Sequence, residues 1–138
     1  MTPLASREKT LIVRANSRGR VLIVDDEPLI RWSLAAALRV AGFEVATAMG
    51  RGEALSLASA TAAPDAVLID LEMYNTNCLD LVDEFLAIAP ACRVVALTTC
   101  GPEVTVRSRW SAIPHIRKPF DLAEVVAVIE RELAPVLR

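Results

Sequence analysis

The sequence predicts an α/β protein, a single domain built on an open, doubly wound parallel sheet. Three observations carry that expectation. Short apolar runs alternate with helix-length segments five times along the chain. The runs, such as "VLIV" at residues 21–24, are apolar throughout rather than alternating, the pattern of strands covered on both faces. A length of 138 residues, 54% hydrophobic but only 4% aromatic, suffices for one core built mostly from Ala, Val and Leu. Right-handed crossovers in so short a chain favour an open sheet over a barrel.

Residues 1–18 are rich in Ser, Arg, Lys, Thr and Asn and read as a mobile N-terminal tail; "LIV" at 11–13 is too short to count as a strand. The domain proper spans 19–138. "RVLIVDD" is the first strand, and the helix after it runs from Pro28 to Ala41. Proline suits a first helical turn and Gly42 the position just past the end. "FEVATA" is the second strand, followed by a helix over 52–60. "DAVLID" (65–70) is the third strand and "LDLVDEFLAIA" the next helix. "CRVVALTT" is the fourth strand, with a short helix starting near Pro102. "PHIRK" is the fifth, and the last helix runs over 122–137, with Asp121 and Glu124 spaced as a capping box. Its apolar stripe is Leu122, Val125, Val126, Ile129 and Leu133, while Val128 lies off the stripe, available for a dimer contact.

Bulk properties exclude several classes. The net charge of −2 offers no basic footprint for nucleic acid. No apolar run approaches the ~18–20 residues that span a bilayer. The N-terminus lacks an apolar signal core, so the chain is expected to be cytoplasmic, without a membrane partner. Cys78, Cys92 and Cys100 are odd in number and match no zinc spacing, which leaves them as reduced thiols.

In a doubly wound sheet, ligands bind at the carboxyl ends of the strands, where the winding reverses; for strand order 2-1-3-4-5 that point lies between strands 1 and 3. Polar residues stand at those ends. Strand 1 ends in Asp25 and Asp26, strand 3 in Asp70, strand 4 in Thr98 and strand 5 in Lys118. Acids crowded beside a low-dielectric interior repel, and a cation relieves them. Asp25, Asp26 and Asp70 are hard oxygen ligands without His or Cys, which suits Mg²⁺. A carboxylate can also attack phosphorus to form an acyl phosphate, and Asp70, alone at the centre of the rim, is the candidate. Lys118 and the Thr98 hydroxyl would then hold phosphoryl oxygens.

With these residues in view, the chain resembles the receiver domains of two-component response regulators, which have a flavodoxin-like (βα)5 fold. "VLIVDDEP" resembles the family's acidic pair, "VLIDLEM" its phosphoacceptor strand, "VVALTT" its Thr/Ser strand and "RKPF" its Lys-Pro motif. The resemblance covers about residues 19–138, and "DDEPLIRWSL" is similar to receivers of NtrC-like activators. It implies that Asp70 accepts a phosphoryl group from a sensor histidine kinase or a phosphotransfer protein. It also implies that Asp25, Asp26, Asp70 and the backbone carbonyl of Glu72 bind Mg²⁺. Output would pass through the face of helix 4, strand 5 and helix 5 to a downstream protein or a second copy, without direct nucleic-acid binding.

Departures from the family pattern are local. Met73, Tyr74 and Asn75 stand where receivers often read Met-Pro-Gly, and the segment from Thr98 to Lys118 is about two residues short. His115 occupies a position where receivers commonly carry a Tyr or Phe that swings inward, so it is the candidate switch residue, linked to the Thr98 hydroxyl. Glu72 and Cys100 sit where family side chains influence phosphate loss. Trp32 falls about 200° around its helix from the apolar stripe of Ile30, Leu34, Ala37, Leu38 and Ala41 and is a candidate anchor for kinase docking. Two rival readings remain open here: a phosphate-independent interaction module of the same fold, and a small Mg²⁺-dependent phosphohydrolase with an Asp nucleophile. A flavin site fits poorly, since the first loop is acidic where it should receive a phosphate.

Overall fold

Val21, Leu22, Ile23 and Val24 are fully buried and form most of β1 (Arg20–Val24). In the computed structural model, which describes residues 17–60, 63–75, 78–99 and 113–134, this strand lies inside a five-stranded sheet. Its neighbours are β2 (Glu44–Ala48) and β3 (Ala66–Asp70), and β4 (Arg93–Thr98) and β5 (His115–Arg117) follow beyond β3. All pairings are parallel, and the order β2-β1-β3-β4-β5 is the one expected. Register aligns Leu22 with Ala46 and Val67, and Thr98 with Arg117.

Side chains alternate across a strand, so each central strand feeds two cores. Val21, Ile23 and Leu68 pack with Leu34 and Leu38 of α1 (Pro28–Val40) and with Val125 and Ile129 of the last helix, α4 (Leu122–Glu132). Leu22, Val24 and Ile69 pack on the other face with Ala54 of α2 (Arg51–Ala58) and with Leu81 and Phe85 of α3 (Leu79–Ile88). Each large side chain removed from water contributes about 1.5–3 kcal/mol, which is why the sheet takes a layer of helices on both sides.

Pro28 does open α1, and the helix closes where glycine was expected. The Gly42 N–H donates to the Arg39 carbonyl at 3.0 Å and the Phe43 N–H to Leu38 at 3.1 Å, a Schellman pair, with Gly42 at φ +101°. Several expectations need correction. Helix α2 covers Arg51–Ala58 rather than 52–60. Asp121 caps α4 without a side-chain hydrogen bond, so the capping box is not made. Leu122 is exposed rather than core, and Val128, off the expected stripe, is half-buried and packs against the core. The tail through residue 16, Cys100, the short helix near Pro102 and the last turn of the final helix lie outside the described residues.

Candidate functional site

Among the described residues, three polar or charged side chains are buried: Asp25, Asp70 and Thr98. All three stand at carboxyl ends of strands, Asp25 directly after β1, Asp70 ending β3 and Thr98 ending β4. Burying a charge is costly unless it is paired, so the placement demands partners.

Lys118, just past β5, supplies one. Its Nζ lies 3.3 Å from Asp25 Oδ2 and 3.2 Å from Asp70 Oδ2, and its N–H donates to the Thr98 carbonyl at 2.8 Å, which ties β5 to the rim. The remaining oxygens are satisfied by the backbone. Asp25 Oδ1 accepts the Glu27 N–H at 2.9 Å, and Asp70 Oδ1 accepts the Glu72 N–H at 3.0 Å. Arg31, one turn into α1, donates to the Asp25 carbonyl at 2.7 Å.

Oxygens of Asp25, Asp26 and Asp70 lie within 4.8 Å of one another. Burial pushes the Asp25 carboxyl above its ordinary value, and repulsion from Asp70 adds to this; the Glu27 N–H and Lys118 pull the other way without winning. For Lys118, burial opposes the charge, but the Asp25 and Asp70 carboxylates outweigh it and raise its pKa. The pocket is thus short of positive charge. Hard carboxylate donors, with no nitrogen or sulfur ligand among them, fit Mg²⁺.

The loop after Asp70 closes over this rim. Tyr74 sits at φ +54°, and its N–H donates to Asp26 Oδ2 at 2.8 Å while its hydroxyl donates to the Met49 carbonyl at 2.9 Å. A proline could do neither of the first two things, having no N–H and a fixed negative φ. The Glu72 side chain turns toward the end of β4 and accepts the Thr98 hydroxyl at 2.6 Å and the Thr99 N–H at 2.6 Å.

The structure therefore brings together Asp25, Asp26, Asp70, Glu72, Thr98 and Lys118. It does not join His115 to the Thr98 hydroxyl. His115 opens β5 opposite Ala96, its Nε2 is buried without a hydrogen-bond partner among the described residues, and the hydroxyl donates to Glu72 instead. Trp32 is 74% exposed on α1. Sequence reasoning missed Tyr74 and Thr99 as rim residues. A left-handed backbone at Tyr74 has no side-chain signature, and Thr99 contributes chiefly through its N–H.

A family model described as the response regulator receiver domain matches residues 21–130. The chain belongs to the response regulator receiver family. A receiver of the CheY-like kind from Methanospirillum hungatei superposes with a TM-score of 0.73 at 25% identity, covering 83% of this chain and 92% of that one. NtrX from Brucella abortus gives 0.74 at 33% identity, covering 83% and 27%. Among curated proteins, this receiver is 33% identical over 119 residues to the DNA-binding transcriptional regulator NtrC of Azospirillum brasilense, covering 85% of this chain and 24% of that protein. It is 36% identical over 117 residues to the transcriptional regulatory protein PrrA of Mycobacterium leprae, covering 83% and 49%. The receiver thus spans a quarter to a half of these relatives. No helix among the described residues is long and apolar enough to cross a membrane.

Proposed function

We propose that this receiver is a phosphorylation switch whose acceptor is Asp70. The observation that carries the reading is a carboxylate 3% exposed, fixed between the Glu72 N–H and Lys118 Nζ, at the centre of an acidic rim. Fixed in this way, an Asp70 oxygen attacks the phosphorus of a phosphohistidine on a sensor kinase or phosphotransfer protein. The O–P bond forms as the P–N bond breaks, and the imidazole leaves with the electron pair. Lys118 neutralises charge on the transferred group, and the Thr98 hydroxyl donates to one of its oxygens. Asp25, Asp26, Asp70 and the Glu72 backbone carbonyl would hold Mg²⁺, which when bound supplies charge neutralisation for the transfer.

In this reading output passes through the face of the fourth helix expected from the sequence, β5 and the last helix, α4, with His115 as the switch residue and Trp32 as an anchor for the phosphodonor protein. The curated relatives are named as transcriptional regulators, and on that likeness the downstream event is transcriptional control exerted through a partner or a linked domain. A second reading, a module that works without phosphate, draws on the mutual satisfaction of the rim: Tyr74 already holds Asp26 and Glu72 already holds Thr98.

Uptake of phosphate from acetyl phosphate separates the two, since it transfers the same group without a protein donor. Wild type should be labelled with Mg²⁺ and not with EDTA, and Lys118→Ala should be labelled at least about tenfold more slowly, the equivalent of one charge-assisted bond lost in the transition state. A folded protein that takes no label from acetyl phosphate or a kinase would favour the phosphate-independent module.

A further inference from the structure

Glu72 is the residue whose side chain the phosphoryl-transfer reading leaves unused. It follows Asp70 by two positions, and its half-buried carboxylate reaches from the end of β3 to the end of β4. There Oε2 accepts the Thr98 hydroxyl at 2.6 Å, and Oε1 accepts both the Thr99 N–H at 2.6 Å and the Thr99 hydroxyl at 3.0 Å. Three donors converge on one carboxylate. Its own N–H meanwhile donates to Asp70 Oδ1 at 3.0 Å, so the group is tethered beside the carboxylate read as the acceptor.

These donors suit any compact anion at that place. A carboxylate and a phosphoryl group both present charged oxygens to hydroxyl and amide N–H donors, and such bonds are short and strong. The two anions cannot share them. The Thr98 hydroxyl has one proton to donate and the Thr99 amide one. Two negative groups side by side in a partly desolvated pocket also repel.

We propose that Glu72 is an internal occupant of the phosphoryl-binding donors. In the unmodified protein its carboxylate holds Thr98 and Thr99, and it has to give them up when Asp70 carries a phosphoryl group. The proposal rests on the reading of Asp70 as the acceptor. Two consequences follow. Occupation slows phosphate uptake, because the donors are released only as Glu72 leaves. Departure of Glu72 also moves the loop that carries Tyr74, so the state of Asp70 is transmitted to the β3–α3 side of the molecule as well as to β5.

The test uses the whole chain with Glu72→Ala and Glu72→Gln. Without Mg²⁺ or phosphate, the Thr99 amide proton, assigned by NMR, should lie downfield in wild type and move upfield in both variants, and the same spectra report whether each variant is folded. With Mg²⁺ and acetyl phosphate, Glu72→Ala should take phosphate at least about tenfold faster than wild type, the equivalent of one charge-assisted hydrogen bond. Glu72→Gln, which keeps the size but loses the charge, should also be faster than wild type. A Thr99 amide that stays in place, or variants labelled at the wild-type rate or more slowly, overturns the proposal while leaving Asp70 as acceptor. Failure of folded wild type and both variants to take any phosphate overturns the acceptor reading and the role of Glu72 with it.

Discussion

Replacing Asp25 by Asn should make the receiver more stable while weakening its grip on Mg²⁺. Asp25 is fully buried, and its carboxyl is raised above the ordinary value of 3.8, first by burial and then by Asp70, despite the Glu27 N–H and Lys118. A raised carboxylate pKa means that the charged form is less favourable in the folded chain than in the unfolded one. Asn keeps the oxygen that accepts the Glu27 N–H at 2.9 Å and leaves Lys118 with Asp70 at 3.2 Å. Neutralising Asp25 removes this net cost of holding a buried charge, so the Asn variant should unfold at a higher urea concentration and a higher Tm than wild type. The sign of the pH dependence follows from proton counting. Between the unfolded value and the higher folded one, the folded wild type binds more protons than the unfolded chain, so its stability falls as pH rises through that window. Below the unfolded value both states are protonated and the cost disappears. The Asn variant lacks this titration, so its advantage should be full at pH 7.5 and shrink toward pH 4. Urea unfolding in EDTA at several pH values measures it. Added Mg²⁺ should close the gap from the other side, stabilising wild type by about 1.4 kcal/mol at ten times Kd and the variant by less. An Asn variant less stable than wild type at pH 7.5 in EDTA would refute the reasoning about Asp25.

Other outcomes follow from particular residues. Phe85→Ala, at a side chain fully buried between α3 and the sheet, should cost about 3–5 kcal/mol in urea unfolding. Gly42→Ala should cost about 1 kcal/mol or more by the same method, because Gly42 sits at φ +101° and a Cβ there would meet the Arg18 side chain at 3.1 Å. Burial pushes the Cys92 thiol up to about 12, with Asp65 adding to it, so iodoacetamide at pH 8 should modify half-buried Cys78 well before Cys92 in the native protein, as read by peptide mass.

The parallel sheet was legible because its strands are apolar on both faces. "VLIV" and "AVLI" have no solvent side, and their spacing by helix-length segments leaves few topologies. The convergence of Asp25, Asp70, Thr98 and Lys118 followed from the same geometry, since carboxyl ends of parallel strands share one rim. Interactions that depend on torsion angles were not legible. Nothing in the letters "LEMYN" says that Glu72 turns toward β4 or that Tyr74 adopts a left-handed backbone. Helix faces near element ends also escaped, as Leu122 and Val128 show: the helical period fixes relative angles, whereas the depth of each turn against the sheet depends on where the helix starts. That the Thr98 hydroxyl donates to Glu72 also has no signal in the letters around either residue.

Identifying the labelled side chain tests the central claim most directly. Borohydride reduces an aspartyl phosphate to homoserine, so protein incubated with acetyl phosphate and Mg²⁺, reduced and digested, carries a permanent mark at the acceptor. Homoserine at position 70, absent from Asp70→Asn and from a sample treated with EDTA, is the result expected here. Homoserine at position 25 or 26 in wild type, or its absence from a folded protein exposed to the donor, would contradict the assignment of Asp70.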